Sequence, residues 1–210
     1  MNDNYKKTIS AVIATKNEER NIRNCLESLK MQNYPQELIE LIVVDNGSKD
    51  KTREIALKYT KSVFNLEEEK NLDNIKNFRG AQVNFGVEKS SGNVIFFPDA
   101  DMSFDKDLIS EAMEKIKEYD ALFIPEEVRG KGFLGKVRNF ERSFYNETCI
   151  DAVRIIKKDI FIKAGEFDIK NIFFGPDDWD FTKTLRKNRF KLGITRNIIY
   201  HNEKQMNWTS

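Results

Sequence analysis

Short apolar runs alternate with amphipathic helical stretches through the first 124 residues, and no other feature of the chain constrains its fold as much. Residues 8–14 form a β-rich apolar run. Residues 18–31 follow and place Ile22, Cys25, Leu26 and Leu29 on one helical face. A second buried strand is expected at 39–44, then a turn at Asp45-Asn46-Gly47-Ser48 and a helix over 48–59. Residues 61–65 read as a short third strand. The pattern continues with a helix over 80–91 that stops at Gly92, an apolar run at 94–97, a helix over 106–118 and a strand at 121–124. Strands separated by helices imply βαβ units and a mostly parallel, doubly wound α/β sheet. The second half is less regular: a basic–aromatic stretch at 131–145, a hairpin or loop, a helix over 178–189 and a final strand at 194–200. No internal repeat, long linker or composition break interrupts the chain, so one domain over residues 1–210 is expected.

Charge narrows the function classes. The 35 Lys and Arg against 34 Asp and Glu leave a net charge of +1, so no overall basicity draws the protein onto nucleic acid. Cys25 and Cys149 belong to no C-x-x-C and fall in apolar-periodic stretches, which reads as two buried thiols in a reducing compartment. Residues 1–7 are polar and lack the apolar core of a signal peptide. Every apolar run is far shorter than the ~20 residues that span a bilayer. The expectation is a soluble cytoplasmic protein. On that expectation the acceptor-type triplets at Asn46, Asn146 and Asn207 carry no glycosylation.

In an open parallel sheet, ligands bind beyond the carboxyl ends of the strands. Three candidate strands end in polar groups there: Thr15-Lys16-Asn17-Glu18, Asp45-Asn46-Gly47-Ser48 and Asp99-Ala100-Asp101. None supplies a G-x-G-x-x-G turn, which disfavours a dinucleotide-binding protein. Residues 130–136 fit G-x-x-x-x-G-K, but Val137 stands where a P-loop needs a magnesium-binding hydroxyl.

Asp99 and Asp101 suit a hard divalent cation, Mn2+ or Mg2+, that bridges to substrate phosphates; capping of the next helix is the competing role. Asp177-Asp178-Trp179-Asp180 opens a helix, where acids are favoured by the macrodipole. Three acids in four residues exceed what a cap needs, and a carboxylate beside an apolar Trp is suited to act as a general base. His201, the single histidine, would suit Mn2+ as a neutral imidazole, although a lone histidine at a strand end is more often structural.

Taken in order, these segments resemble the family 2 glycosyltransferases, inverting enzymes of the GT-A fold. Residues 12–19 resemble the first strand and its "P-T-Y-N-E" turn. Val43-Val44-Asp45-Asn46-Gly47-Ser48-Lys49-Asp50-Lys51-Thr52 resembles "V-D-D-G-S-x-D-x-T". Asn84-Phe85-Gly86, Gly92 and Asp99-Ala100-Asp101 resemble "N-x-G … G-x-x-x-x-x-L-D-A-D". Gly165-Glu166-Phe167-Asp168 and Gly175-Pro176-Asp177-Asp178-Trp179-Asp180 resemble "G-G-F-D … G-x-E-D-W-D". The likeness covers about residues 8–202. It implies a GT-A-type single domain with a mostly parallel central sheet flanked by helices and a smaller acceptor-side subregion. Residues 8–101 would form the nucleotide-binding half and 102–210 the acceptor-binding and catalytic half.

Carried over by position, the resemblance implies that Ala14, Thr15, Asn17 and Glu18 meet the donor nucleotide, with Asp45 and Asn46 on base or ribose. Asp99 and Ala100 would lie against the nucleotide-sugar. Asp101 and His201, joined by Asp99, would hold the metal, and Arg79 would reach the diphosphate. Asp178 would be the catalytic base. Arg154, Asp177 and Trp179 are acceptor-side candidates, Arg154 alternatively a structural ion pair. The implied reaction moves a sugar from a UDP- or GDP-linked donor to an acceptor hydroxyl or lipid phosphate. The sequence departs from the pattern where Lys16 replaces an aromatic, Asn46 the second acid and Val83 an arginine. No Q-x-x-R-W follows the acidic segment, which argues for a non-processive enzyme. The mixed aromatic and basic stretch 132–145 reads either as a packed amphipathic helix or as a surface meeting anionic lipid, which would make membrane contact peripheral. The competing functions are a sugar nucleotidyltransferase, which would need a Gly-rich basic loop after the first strand, and a non-catalytic nucleotide-sugar-binding protein.

Overall fold

Fully buried parallel strands need apolar side chains on both faces, and the chain supplies them in β1 (Ile9–Thr15), whose seven residues are all buried. The computed structural model describes residues 7–128, 140, 152–172 and 177–202. Beside β1 run β2 (Ile39–Asp45) and β4 (Val94–Phe96), both parallel to it, and β3 (Val63–Asn65) lies parallel outside β2. Beyond β4 come β8 (Val153–Lys157), β6 (Ala121–Phe123) and β9 (Leu192–Ile194). The order among the described residues is β3-β2-β1-β4-β8-β6-β9, with β8 alone antiparallel to its neighbours. A second sheet joins β5 (Met102–Phe104), β10 (Ile199–His201) and β7 (Glu126–Val128) in the order β5-β10-β7. The expected α/β architecture with a mostly parallel sheet holds.

Two cores flank the main sheet. Ile9, Ala11 and Ile13 of β1 pack with α1 (Ile22–Lys30) and α5 (Leu108–Lys115) on one face. Val12 and Ala14 pack on the other with α4 (Phe78–Lys89), α6 (Lys158–Lys163) and α7 (Asp177–Lys187). Six buried phenylalanine side chains, at 85, 97, 123, 161, 167 and 181, belong to this second core. Two further short helices are α2 (Thr52–Ala56) and α3 (Leu66–Glu69).

Several boundaries differ from the sequence expectation for local reasons. α1 starts at Ile22 rather than residue 18 because residues 16–21 form a turn locked to the next one. Asn17 sits at φ 55°, its N–H donates to Ser48 Oγ at 2.7 Å and its Oδ1 accepts from Lys49 N at 2.8 Å. Asn tolerates this left-handed conformation better than most residues. α2 begins only at Thr52, because Asp50 Oδ1 accepts from Thr52 N at 3.0 Å and ends the preceding turn. The single strand expected at 194–200 is two strands in different sheets. Glu111 turns the chain between them by accepting from Arg196 N at 2.7 Å and Asn197 N at 2.9 Å. Strands β5, β7 and β8 are additions to the expected set. The G-x-x-x-x-G-K segment, most of the 132–145 stretch, Cys149 and the Gly175-Pro176 turn lie outside the described residues. Among the described residues no helix is long and apolar enough to cross a membrane.

Candidate active site

The carboxyl ends of β1 and β4 open into a cleft of about 390 Å3, closed on its other side by the first turns of α4 and α7. Thr15, Lys16 and Glu18 bring the turn after β1 to this cleft, and Ala14 forms an isolated parallel bridge with Asp99 that fixes the end of β4 beside it. Asp101 follows, immediately before β5. The register of the small sheet sets His201 of β10 opposite Met102, and Asn202 N donates to Asp101 O at 2.9 Å. Residues 100 positions apart thereby meet: His201 Nε2 lies 3.1 Å from Asp101 Oδ2.

On the opposite wall, Asp177 and Asp178 open α7, as acids at a helix N-terminus should. Arg79, in the first turn of α4, ties the two walls together. Its Nε donates to Asp99 Oδ1 at 2.8 Å, and its Nη1 to Asp178 Oδ1 at 3.1 Å and Asp177 Oδ2 at 3.4 Å. Asn77, the N-cap of α4, accepts from Gly80 N at 2.9 Å and donates to Asp177 Oδ2 at 3.1 Å. The helix starts of α4 and α7 are therefore joined through Asp177, which is 4% exposed.

Burial pushes these groups in different directions. For Asp99 it would raise the pKa, yet the Arg79 and Arg154 guanidiniums outweigh it and hold the carboxyl well below the usual range. Asp178 ends above its ordinary 3.8, because burial outweighs the pull of Arg79 and Arg154. Two carboxyls about one guanidinium are thus driven apart, the pattern that separates a permanently charged group from one able to take a proton.

A divalent cation was tested against the donors present. Asp101 offers a hard oxygen and His201 a borderline nitrogen on the cleft wall, a set that suits Mn2+ or Mg2+ with the remaining positions left to phosphate oxygens. His201 Nδ1 is buried with no hydrogen-bond partner among the described residues, so the ring has a polar atom still to be satisfied. Both carboxylate oxygens of Asp99 are taken by Arg79 and Arg154. Among the described residues no group of three His, Cys, Asp or Glu side chains converges as a cage. The fit is that of a two-ligand site completed by substrate.

The other expected residues distribute as follows. Ala14, Thr15, Glu18, Arg79, Asp99, Ala100, Asp101, Asp177, Asp178 and His201 line the cleft. Asn17, Asp45, Asn46, Arg154 and Trp179 do not. Asp45 is fully buried, and its carboxylate accepts from Ser48 N at 2.7 Å and from the Ser48 hydroxyl. Asn46 N donates to Thr15 O at 3.0 Å, and its buried Oδ1 has no partner. Trp179 is exposed on α7. Arg154 takes the structural side of its two expected roles. It is buried, with Nε and Nη2 on Glu126 Oε1 at 3.0 and 2.8 Å and Nη1 on Asp99 Oδ2 at 3.1 Å. Gln82 lines the cleft without having been expected there. Its buried amide donates to Thr15 O at 2.9 Å and Val44 O at 2.6 Å, tying α4 to the ends of β1 and β2. A polar residue on an otherwise inward helix face was the one signal that could have found it.

Comparison with known proteins follows this geometry. The family model described as Glycosyl transferase family 2 matches residues 10–167. Glycosyltransferase AglE of Haloferax volcanii is 39% identical over 95 residues, covering 45% of this chain and 31% of that protein. The poly(ribitol-phosphate) beta-N-acetylglucosaminyltransferase TarS of Staphylococcus aureus is 29% identical over 179 residues, covering 84% of this chain and 30% of TarS. The crystal structure of TarS 1–349 in complex with UDP-GlcNAc superposes with a TM-score of 0.75 at 22% identity, covering 95% of this chain and 60% of that one. The mannosyltransferase PcManGT from Pyrobaculum calidifontis, in complex with GDP-Man and Mn2+, gives a TM-score of 0.75 at 15% identity, covering 98% and 59%. The chain spans about a third of the length of these two curated relatives. The fold is that of these GT-A structures, and by the match over residues 10–167 the chain belongs to glycosyl transferase family 2.

Proposed function

We propose that this chain transfers a sugar from a UDP- or GDP-linked donor to an acceptor hydroxyl, one sugar per encounter and with inversion at C1. The observation that carries the reading is one juxtaposition: the Asp101–His201 pair and the Asp178 carboxyl line the same cleft. In this reading Ala14, Thr15 and Glu18 meet the nucleotide on the cleft wall, while Asn17, Asp45 and Asn46 shape the turns at the ends of β1 and β2, within the half formed by residues 8–101. Asp99 and Ala100 floor the cleft, and Arg79 lies within reach of the diphosphate. Asp177 and Trp179 belong to the acceptor side, within residues 102–210. The complexes of two structural relatives, one with UDP-GlcNAc and one with GDP-Man and Mn2+, support the donor class and the divalent cation.

The chemistry follows from the residues. Asp101 and His201 would hold Mn2+ or Mg2+, which when bound supplies positive charge to the departing nucleoside diphosphate. Asp178 accepts the acceptor's hydroxyl proton on a carboxylate oxygen as that hydroxyl oxygen attacks C1. The bond from C1 to the diphosphate breaks on the far side, so the configuration inverts. Arg79 orients Asp178 through the 3.1 Å contact at Oδ1. Closure of two substrates into one cleft supplies a further share of the barrier reduction.

The test is Asp178→Asn assayed with matched acceptors. With a hydroxyl acceptor, nucleotide binding persists and transfer falls by about two to four orders of magnitude, the usual worth of a general base. Wild-type-like turnover would refute the assignment. A lipid-phosphate acceptor has an oxygen already ionised near pH 7, so the same variant would lose far less with it. The ratio of the two losses therefore separates the two acceptor classes.

A further inference from the structure

The small sheet does more than deliver His201. Strand β7 lies parallel to β10, with Glu126 opposite Ile199 and Val128 opposite His201. This brings Glu126 Oε2 to 3.9 Å from His201 Nδ1, the buried ring nitrogen that has no hydrogen-bond partner among the described residues. The opposite ring nitrogen, Nε2, faces Asp101 Oδ2 at 3.1 Å. A single imidazole thus stands between two carboxylates, one on the cleft wall and one behind it.

A neutral imidazole has one N–H and one lone pair. To bind a cation through Nε2, His201 must carry its proton on Nδ1, and a buried N–H without an acceptor is unfavourable. A carboxylate behind the ring, drawn from 3.9 Å into hydrogen-bond reach, would remove that cost and fix the tautomer, a recurrent arrangement around metal-binding histidines. Glu126 is held for this role. Arg154 places Nε and Nη2 on the same oxygen, Oε1, at 3.0 and 2.8 Å, which sets the plane of the carboxylate and turns Oε2 toward the ring. Arg154 is in turn fixed by Asp99 Oδ2 at 3.1 Å.

We propose that Glu126 is the positioning residue for His201, selecting its Nδ1–H tautomer so that Nε2 presents a lone pair to a divalent cation beside Asp101. The inference rests on the reading of Asp101 and His201 as the cation pair, and the experiment separates the two. His201 is the single histidine of the chain, so 15N-histidine labelling reports on this ring alone. In the Mg2+-loaded wild-type protein the 15N shifts show protonated Nδ1 and unprotonated Nε2. Glu126→Gln keeps a carbonyl oxygen for Arg154 but moves the ring toward the Nε2–H tautomer. It weakens Mn2+ binding, measured by calorimetry with saturating UDP or GDP, by about 10–100-fold.

Unchanged tautomer and affinity in Glu126→Gln would overturn the proposal. So would a wild-type ring protonated at Nε2 with Mg2+ bound, a result that needs no variant and stands even if Glu126→Gln fails to fold. His201→Ala resolves the underlying reading. If it abolishes Mn2+ binding while Glu126→Gln does not weaken it, only the positioning role fails. If Mn2+ binding survives His201→Ala, the cation pair itself is wrong and the proposal falls with it.

Discussion

At Arg79 one guanidinium answers three carboxylates, and the balance among them decides which can take a proton. Asp99 is held charged by two guanidiniums, whereas burial leaves Asp178 above 3.8. A base is active only when ionised, so the upward shift moves the acid limb of the rate profile to higher pH. The expected profile of kcat/KM with a hydroxyl acceptor declines on the acid side above pH 3.8, the ordinary value for this group. The residual rate of Asp178→Asn should lack that limb; the same limb in both proteins would assign it to another group. At this scale the sequence was legible where a residue's type announced its task. Asp101, Asp178 and His201 stood out as acids and a lone imidazole at element ends. Arg154 was legible only as a choice between an acceptor contact and an ion pair, and Glu126 not at all, because a buried arginine makes sense only with its carboxylates, and those come from other strands. Asp45 was given a ligand role by the resemblance alone; in the fold its carboxylate accepts from Ser48 in the turn.

Among the elements, α4 does the most positioning, and it can approach the sheet only because position 86 lacks a side chain. A Cβ built there would lie 2.2 Å from Val12 Cγ1 and 3.1 Å from Val44 Cγ2, both in the core face of the sheet. Gly86→Ala is expected to destabilise the protein by about 1–3 kcal/mol through overpacking, despite alanine's better helix propensity. Urea unfolding reads this directly. An unchanged or higher midpoint would show that α4 is free to shift and that its register does not anchor Arg79 and Gln82. The apolar runs of β1, β2 and β4 were readable because parallel strands buried on both faces are mostly apolar rather than alternating. Strand β8 was not, since Arg154 breaks its apolar run, nor was β7, which begins Glu126-Glu127. Their charges are tolerated by ion pairs and edge exposure that only the assembled sheets provide. The start of α1 was misplaced because the lock between residues 17 and 48–49 is non-local.

Over the whole molecule, two sheets with different jobs converge on one cleft. The main sheet carries the polar ends of β1 and β4, and the small sheet brings His201 to Asp101 from the far end of the chain. The main sheet draws strands from both residues 8–101 and residues 102–210, so the two halves share one framework. The strand–helix alternation made the first half of this plan readable. The three-stranded sheet was hidden because each of its strands is only three residues long and its pairing is non-local. The central claim is that a cation held by Asp101 and His201 carries the diphosphate of the donor. Calorimetric titration with UDP and GDP, with and without Mn2+, tests it most directly. One of the two nucleotides should bind at least about tenfold more tightly with Mn2+, a gain of roughly 1.4 kcal/mol that disappears in His201→Ala. Equal affinity with and without the metal, for both nucleotides, would contradict the account.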